Sequence, residues 1–116
     1  MPIIEHKGAR FEVDDEGFLL RSEDWSEQVA QALADREGLG ELNQHQMELV
    51  RFIREYYQRM KAFPILRAVC FYVHQGKDCF RDSFLPPLKA WKVAGLPKPD
   101  TVMRTYLESE GTDVPT

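Results

Sequence analysis

"NQHQMELVRFIREYYQRMK", Asn43 to Lys61, decides the fold class, because three independent helix signals coincide in it. Asn43 followed by Gln46 has the form of a capping box, which satisfies two backbone N–H groups that a helix start otherwise leaves free. Met47, Val50, Ile53, Tyr57 and Met60 then recur at helical spacing. No glycine or proline interrupts the stretch. Tyr56 and Tyr57 could stack on bases, but side chains at this spacing serve core or groove packing.

Downstream, "PILRAVCFYVHQG" (64–76) reads as another helix, with Pro64 at the first helical position and Gly76 beyond the end. Two helices joined by a short turn have a helix-turn-helix outline. The second is apolar, however, with Ile65, Leu66, Val69, Phe71 and Val73; only Arg67, His74 and Gln75 offer groups that read base edges. After the polar "GKDCFRDSFL" and the Pro86–Pro87 pair, "LKAWKVAG" (88–95) is a short helix closed by Gly95. "AGLPKP" (94–99) follows, and its prolines keep it out of a helix and extend it as an arm carrying Lys98. Val102, Met103, Tyr106 and Leu107 form one apolar stripe, which is expected to dock on Trp91 and on the helix that Pro64 opens. Residues 109–116 are expected to be a disordered tail, leaving a single domain over 1–108.

Upstream, "WSEQVAQALADREG" (25–38) is a helix with Val29, Ala32 and Leu33 on its apolar side and Ser22 and Asp24 as cap candidates. "ARFEVDDEGFLL" (9–20) reads as a small hairpin turning at Asp14–Gly17. Its three acids, Asp14 to Glu16, fit a solvated turn better than a cation site, since nothing else metal-like lies near. The fold class is therefore mainly α: a small N-terminal hairpin and an orthogonal helical bundle with a helix-turn-helix-like portion.

At 116 residues the chain supports one core. Its net charge of −4 hides an asymmetry. Residues 1–50 hold 4 basic and 12 acidic side chains, residues 51–104 hold 11 and 4, and residues 105–116 hold three acids alone. The basic half is a solvated helix surface or a face for an acidic partner, protein or nucleic acid. The N-terminus lacks a signal-peptide pattern and no apolar run spans a membrane, so a cytoplasmic location is expected. Two cysteines are too few for a disulfide scaffold and fit a reducing compartment. Cys70, on the apolar stripe of Leu66, Val69 and Val73, reads as a buried inert thiol. Cys79, between Lys77 and Arg81, is the one candidate nucleophile, because flanking cations favour the thiolate. Cys70, His74 and Cys79 lack a fourth ligand for zinc, and no phosphate-binding glycine loop or Ser-His-Asp arrangement is recognisable. Neither a metal nor a cofactor is expected.

"FEVDDEGFL", "DWSEQVA", "FIREYY" and "AGLPKP", in this order and spacing, resemble the DsrC/TusE family of sulfur-relay proteins from about Lys7 to Asp100. The resemblance implies a helical bundle with an N-terminal hairpin. It also implies a mobile C-terminal arm bearing a cysteine persulfide, exchanged with sulfurtransferases and passed to dissimilatory sulfite reductase or toward tRNA 2-thiolation. The arm cysteine of the family falls three residues after the last proline, which here is Val102. The second cysteine of DsrC members falls four residues before the AG glycine, which here is Trp91. The chain also runs on for fourteen residues after Val102, and the loop before the arm is shortened to "GKDCFRDSFLP". No catalytic residue of the family is carried over, which leaves enzymatic activity open.

The leading expectation is thus a partner-binding or regulatory member without relay chemistry. Its partner would be a protein of sulfur-relay or sulfite-reductase type. Arg67 and Lys98, which match positions around the arm cysteine, would shape the partner surface together with Trp91. A sulfur carrier using Cys79 is the alternative, and a nucleic-acid-binding regulator is the third reading.

Overall fold

A computed structural model describes residues 3–6, 8–62, 64–84 and 86–108; the expected tail, 109–116, lies outside them. Two strands and six helices follow in order: β1 (Ile3–His6), β2 (Ala9–Glu12), α1 (Glu27–Arg36), α2 (Gln44–Met60), α3 (Leu66–Tyr72), α4 (Cys79–Ser83), α5 (Leu88–Val93) and α6 (Thr101–Glu108). The mainly helical architecture and the small antiparallel hairpin agree with the sequence reading. The hairpin itself stands earlier than expected. Ile3 pairs with Glu12 and His6 with Ala9, while the expected pairing across Asp14–Gly17 amounts to one bridge, Val13 to Leu19.

α2 forms as its sequence demands. The Asn43 side chain accepts from the Gln46 N–H at 2.8 Å, and the Gln46 side chain accepts from the Asn43 N–H at 2.9 Å. Its buried face carries Leu49, Val50 and Ile53 together with Arg54. α1 starts later than Ser22 or Asp24 would place it. Those residues form a separate 3-10 turn, and Ser26 caps the helix by accepting from the Val29 N–H at 3.1 Å.

α3 is shorter at both ends than the Pro64–Gly76 frame. Pro64 precedes the helix rather than opening it, and Ile65 at the cap position has extended backbone. The first helical N–H, on Leu66, donates instead to the Tyr106 hydroxyl at 3.3 Å. A side chain forty positions away thus satisfies a group that a helix start leaves free. At the other end His74 takes the left-handed conformation, with φ of 60°, and Gln75 N–H returns to the Cys70 carbonyl at 2.8 Å. The helix stops there, before Gly76 is reached.

One core joins these elements. Phe11, Val13 and Phe18 from the N-terminal segment pack with Val29 and Leu33 of α1, Leu49 and Ile53 of α2, and Trp91 and Val93 of α5. α5 is the central short helix, contacting both α1 and α2. Its C-terminal end meets Gly95, whose φ of +68° suits glycine. A Cβ on Gly95 would stand 2.6 Å from Trp25 Cδ1 and 3.0 Å from Leu19 Cδ2. Gly95→Ala therefore combines a left-handed backbone penalty with displacement of the partly buried Trp25 ring and the buried Leu19 side chain. The expected loss of unfolding free energy is about 2–4 kcal/mol, read from urea denaturation.

Candidate functional site: the docked arm and the cysteine pair

The arm begins where α5 ends, and the last carbonyls of that helix are taken by side chains from elsewhere. Trp25 Nε1 donates to the Val93 carbonyl at 2.8 Å. Arg54 Nη1 donates to the Ala94 carbonyl at 3.0 Å, and its Nη2 donates to the Ser22 carbonyl at 2.8 Å. The guanidinium also stacks over the Trp25 ring, 4.6 Å from its centroid. Arg54 is only 9% exposed. Burial pushes its pKa down from the usual arginine value, yet two carbonyl acceptors and an aromatic face keep the cation solvated by protein.

Trp91 then holds the arm itself. It is 3% exposed, lies edge-on to Tyr57 with ring centroids 5.5 Å apart, and donates from Nε1 to the Pro97 carbonyl at 2.7 Å. Leu96 is buried beside it. Beyond the prolines, Asp100 caps α6 by accepting from the Met103 N–H at 2.8 Å. Leu107 is buried and Tyr106 reaches α3. The expected docking of 100–108 is therefore present, with one correction. Val102 is 70% exposed, because the helical period carries it off the face shared by Met103, Tyr106 and Leu107.

A clasp closes over the arm. One Glu16 carboxylate oxygen pairs with Lys98 Nζ and the other with Arg104 Nη2; Arg104 Nε also donates to Glu108 at 2.7 Å. Hydrogen bonds from Arg104 and then Lys98 lower the Glu16 pKa from 4.5 to about 2, and the same carboxylates raise that of Arg104. The neighbouring Asp14 builds the loop, its Oδ1 accepting from the Glu16 and Phe18 N–H groups at 2.8 and 3.0 Å. The acidic turn is therefore more than a solvated surface. Sequence reading missed Glu16 because nothing local marks its two distant partners.

Cys79 departs furthest from expectation. It is not a thiol in a polar loop: it opens α4, is 4% exposed and forms a disulfide with Cys70. The two Cα atoms lie 5.7 Å apart. Phe80 beside it and Phe84 are buried in the core, so the helical turn that buries Phe80 also carries the sulfur inward. The bond likewise corrects the expectation of two separate thiols of a reducing compartment.

Among the proposed surface residues, Arg67 is exposed on α3 and Lys98 is engaged by Glu16 yet half open to solvent, whereas Trp91 is interior. These three do not form one patch on the surface. Much of the basic half also faces the acidic half: Arg51 pairs with Glu27 at 3.2 Å, Lys92 with Glu37 at 3.5 Å, and Lys98 and Arg104 with Glu16. This pairing offers no continuous basic stripe for a phosphate backbone. Among the described residues no helix is long and apolar enough to cross a membrane.

Comparison with known proteins gives a consistent family. The model of the DsrC-like protein family matches residues 5–103. The gamma subunit of dissimilatory-type sulfite reductase from Nitratidesulfovibrio vulgaris is 31% identical, over 85% of this chain and 96% of its own. The sulfurtransferase TusE of Yersinia pestis is 35% identical, over 84% and 96%. Among solved structures, the oxidized gamma subunit of dissimilatory sulfite reductase (DsrC) from Archaeoglobus fulgidus superposes with a TM-score of 0.72 at 31% identity, covering 85% of this chain and 97% of that one. The NMR structure of Allochromatium vinosum DsrC gives 0.70 at 31%, with 84% and 95% covered.

The clasp has a pH signature. A glutamate whose folded pKa is depressed contributes stability above its unfolded value, and that contribution is lost as pH falls through the folded one. Arm docking should accordingly weaken between pH 4.5 and about 2. In a carbon-13 titration the Glu16 carboxyl should show a midpoint near 2, moving up toward the usual carboxylate range in Arg104→Gln.

The disulfide has a thermal one. Closing a loop of sequence separation 9 should contribute about 2–3 kcal/mol. Reduction is expected to lower Tm by about 10 °C in a calorimetric scan. Unreduced protein, even when unfolded, should take up no alkylating agent, and reduced, unfolded protein should take up two equivalents.

Proposed function

The chain belongs to the DsrC-like family of sulfur-relay proteins, and from that premise we propose that it is a partner-binding or regulatory member that does not itself carry sulfur. The observation that supports this most is the docked arm, which carries no cysteine. A persulfide carrier needs a thiolate that donor and acceptor can both reach. Val102, the residue at the position expected of an arm cysteine, is an exposed aliphatic side chain. Trp91, at the second position, is an interior anchor whose indole holds Pro97. The protein would engage a component of a sulfur-relay or sulfite-reductase system through surfaces that include Arg67 and Lys98, with Trp91 fixing the arm from inside. A locked arm can occupy a partner without receiving sulfur from it, which is the behaviour of a competitor or regulator.

A second reading is favoured by one observation: Cys70 and Cys79 are within bonding distance. Opened by a dithiol reductant, which leaves as its own disulfide, the pair becomes two thiols. A donor persulfide would transfer its outer sulfur to Cys79 and leave as a thiol, and the resulting Cys79 persulfide would then be attacked at its inner sulfur by the Cys70 thiolate. That step re-forms the Cys70–Cys79 bond and expels hydrosulfide, so atoms and electrons balance. The sulfurtransferase relatives are compatible with such a carrier, but burial of both sulfurs opposes it.

Glutathione persulfide separates the two. Unmodified reduced protein and Cys70→Ser, which cannot resolve a persulfide, are each exposed to it under native conditions. The expected result is no gain of about 32 Da, the mass of one sulfur, on Cys79 of Cys70→Ser, and no hydrosulfide release by the unmodified chain. A persulfide on Cys79 that passes to an acceptor thiol would overturn the leading reading in favour of the carrier.

A further inference from the structure

An apolar groove of about 360 Å³ runs between α2 and α3, on residues that neither the arm nor the clasp uses. Phe52, Tyr56 and Met60 line it from α2, and Ile65, Ala68 and Tyr72 from α3 and its cap. Several of these apolar side chains are open to solvent: Ile65 is 67% exposed, Tyr72 72% and Met60 58%. Exposed large apolar side chains clustered in this way mark an interaction site.

The walls are held both from outside the groove and across it. The Tyr106 hydroxyl caps α3 at Leu66, the disulfide fixes Cys70 on α3 to α4, and the Phe52 and Tyr72 rings lean together with centroids 5.3 Å apart. The groove is therefore preorganised, which reduces the entropy lost on docking.

Charge indicates what it takes. Arg59 lines the groove, and Lys61 follows Met60 at the end of α2. Both are exposed, and among the described residues neither has an ion-pair partner. Glu55 is the one acid in the lining. The excess of unpaired cations around an apolar floor contrasts with the basic side chains near the arm, which are already neutralised. Length indicates the shape. Phe52, Tyr56 and Met60 are spaced by four, so their wall extends about 12 Å, the reach of helix anchors at i, i+4 and i+7. Stacked bases fit less well, since Met60, Ile65 and Ala68 offer no aromatic face and Tyr72 is engaged by Phe52.

We propose that the α2–α3 groove docks an acidic amphipathic helix of a partner protein, with its apolar side on Tyr56, Ile65 and Tyr72 and its carboxylates toward Arg59 and Lys61. The inference rests on the partner-binding reading above and names the chemistry of the partner.

The test uses the full chain and a fluorescein-labelled 16-residue helical peptide with leucines at i, i+4 and i+7 and glutamates on its outer side. Two controls share its length: a scrambled order, and a version with lysine in place of glutamate. Anisotropy should show saturable binding of the acidic helix, at least 10-fold weaker for the scrambled order and at least 5-fold weaker for the lysine version. Ile65→Glu should weaken binding at least 10-fold with Tm unchanged, since its side chain faces solvent, and Tyr72→Ala, which also removes a ring packed on Phe52, should weaken it at least 10-fold. Arg59→Glu should weaken the acidic helix and strengthen the lysine version. Equal binding of acidic and scrambled peptides, or indifference to Ile65→Glu, would overturn the proposal. So would displacement of the peptide by a dodecameric oligothymidylate. NMR signals of Ile65 and Tyr72 that move with protein concentration would make a second copy the occupant; signals that move on Val114→Glu would make it the chain's own end. Either result also overturns the proposal. No sulfur donor is present, so a failed titration leaves the persulfide result standing, and a persulfide on Cys79 leaves the groove result standing.

Discussion

The buried guanidinium of Arg54 is the constraint on which the functional end of the molecule depends. It is supplied by the longest helix, and it ties the Ser22 carbonyl of the N-terminal segment to the Ala94 carbonyl where α5 ends. A cation at a helix C-terminus is favoured by the helix dipole, and carbonyls left over there need donors. Trp25 completes the arrangement by donating to Val93 and offering its face to Arg54. The chain then leaves α5 through a glycine pressed against that same ring. Everything beyond, including the prolines and α6, takes its direction from this junction. Leucine or methionine at position 54 would fill space but would leave the Ala94 carbonyl without that donor and the Ser22 carbonyl with the Trp25 N–H alone.

Electrostatics act at the next level. The acidic first half and basic second half are not two surfaces for two partners. To a large extent they neutralise one another across the fold, through Glu16, Glu27 and Glu37. The Lys92–Glu37 pair is largely buried, and Lys92 also lies 5.2 Å from the Phe18 ring centroid. Lys89 adds a hydrogen bond to the Glu37 carbonyl at 2.9 Å. Such pairs fix the orientation of packed elements as well as adding stability. What remains unpaired around Arg59 and Lys61 is then informative, because much of the neighbouring charge has been used.

Features that depend on neighbours in sequence were legible. The Asn43–Gln46 box and the glycine at position 95 each declare themselves within a few residues, and each stands where expected; of the α2 stripe only Val50 and Ile53 are buried, while Met60 is open to solvent and Leu49 takes a core place. The same local view failed at Cys79. Lys77, Asp78, Arg81 and Asp82 describe a polar loop, yet helical geometry turns Cys79 and Phe80 inward together. Pro64 misled for a related reason: a proline can open a helix, but the donor that sets the start of α3 needs an acceptor, and Tyr106 supplies it. The clasp was invisible, since Glu16 has two partners far along the chain and a carboxylate in a turn carries no mark of either. Val102 shows the limit of reading a stripe without its angle: four apolar residues in six positions cannot all face one way on a helix.

The Trp25–Val93 hydrogen bond has a consequence for how the protein is made. Its two residues are 68 positions apart. At roughly 5–20 residues per second, a ribosome completes Trp25 roughly 3–14 s before Val93 exists. Phe11, Phe18 and Leu33 wait through the same interval, since α5 is needed to cover them. A chain of local helices can settle as it emerges; here α2 forms early and the aromatic N-terminal segment stays exposed until α5 has been made and released from the ribosome. The nascent protein is therefore most vulnerable to aggregation in that interval, and any pause that delays the release of α5 prolongs it.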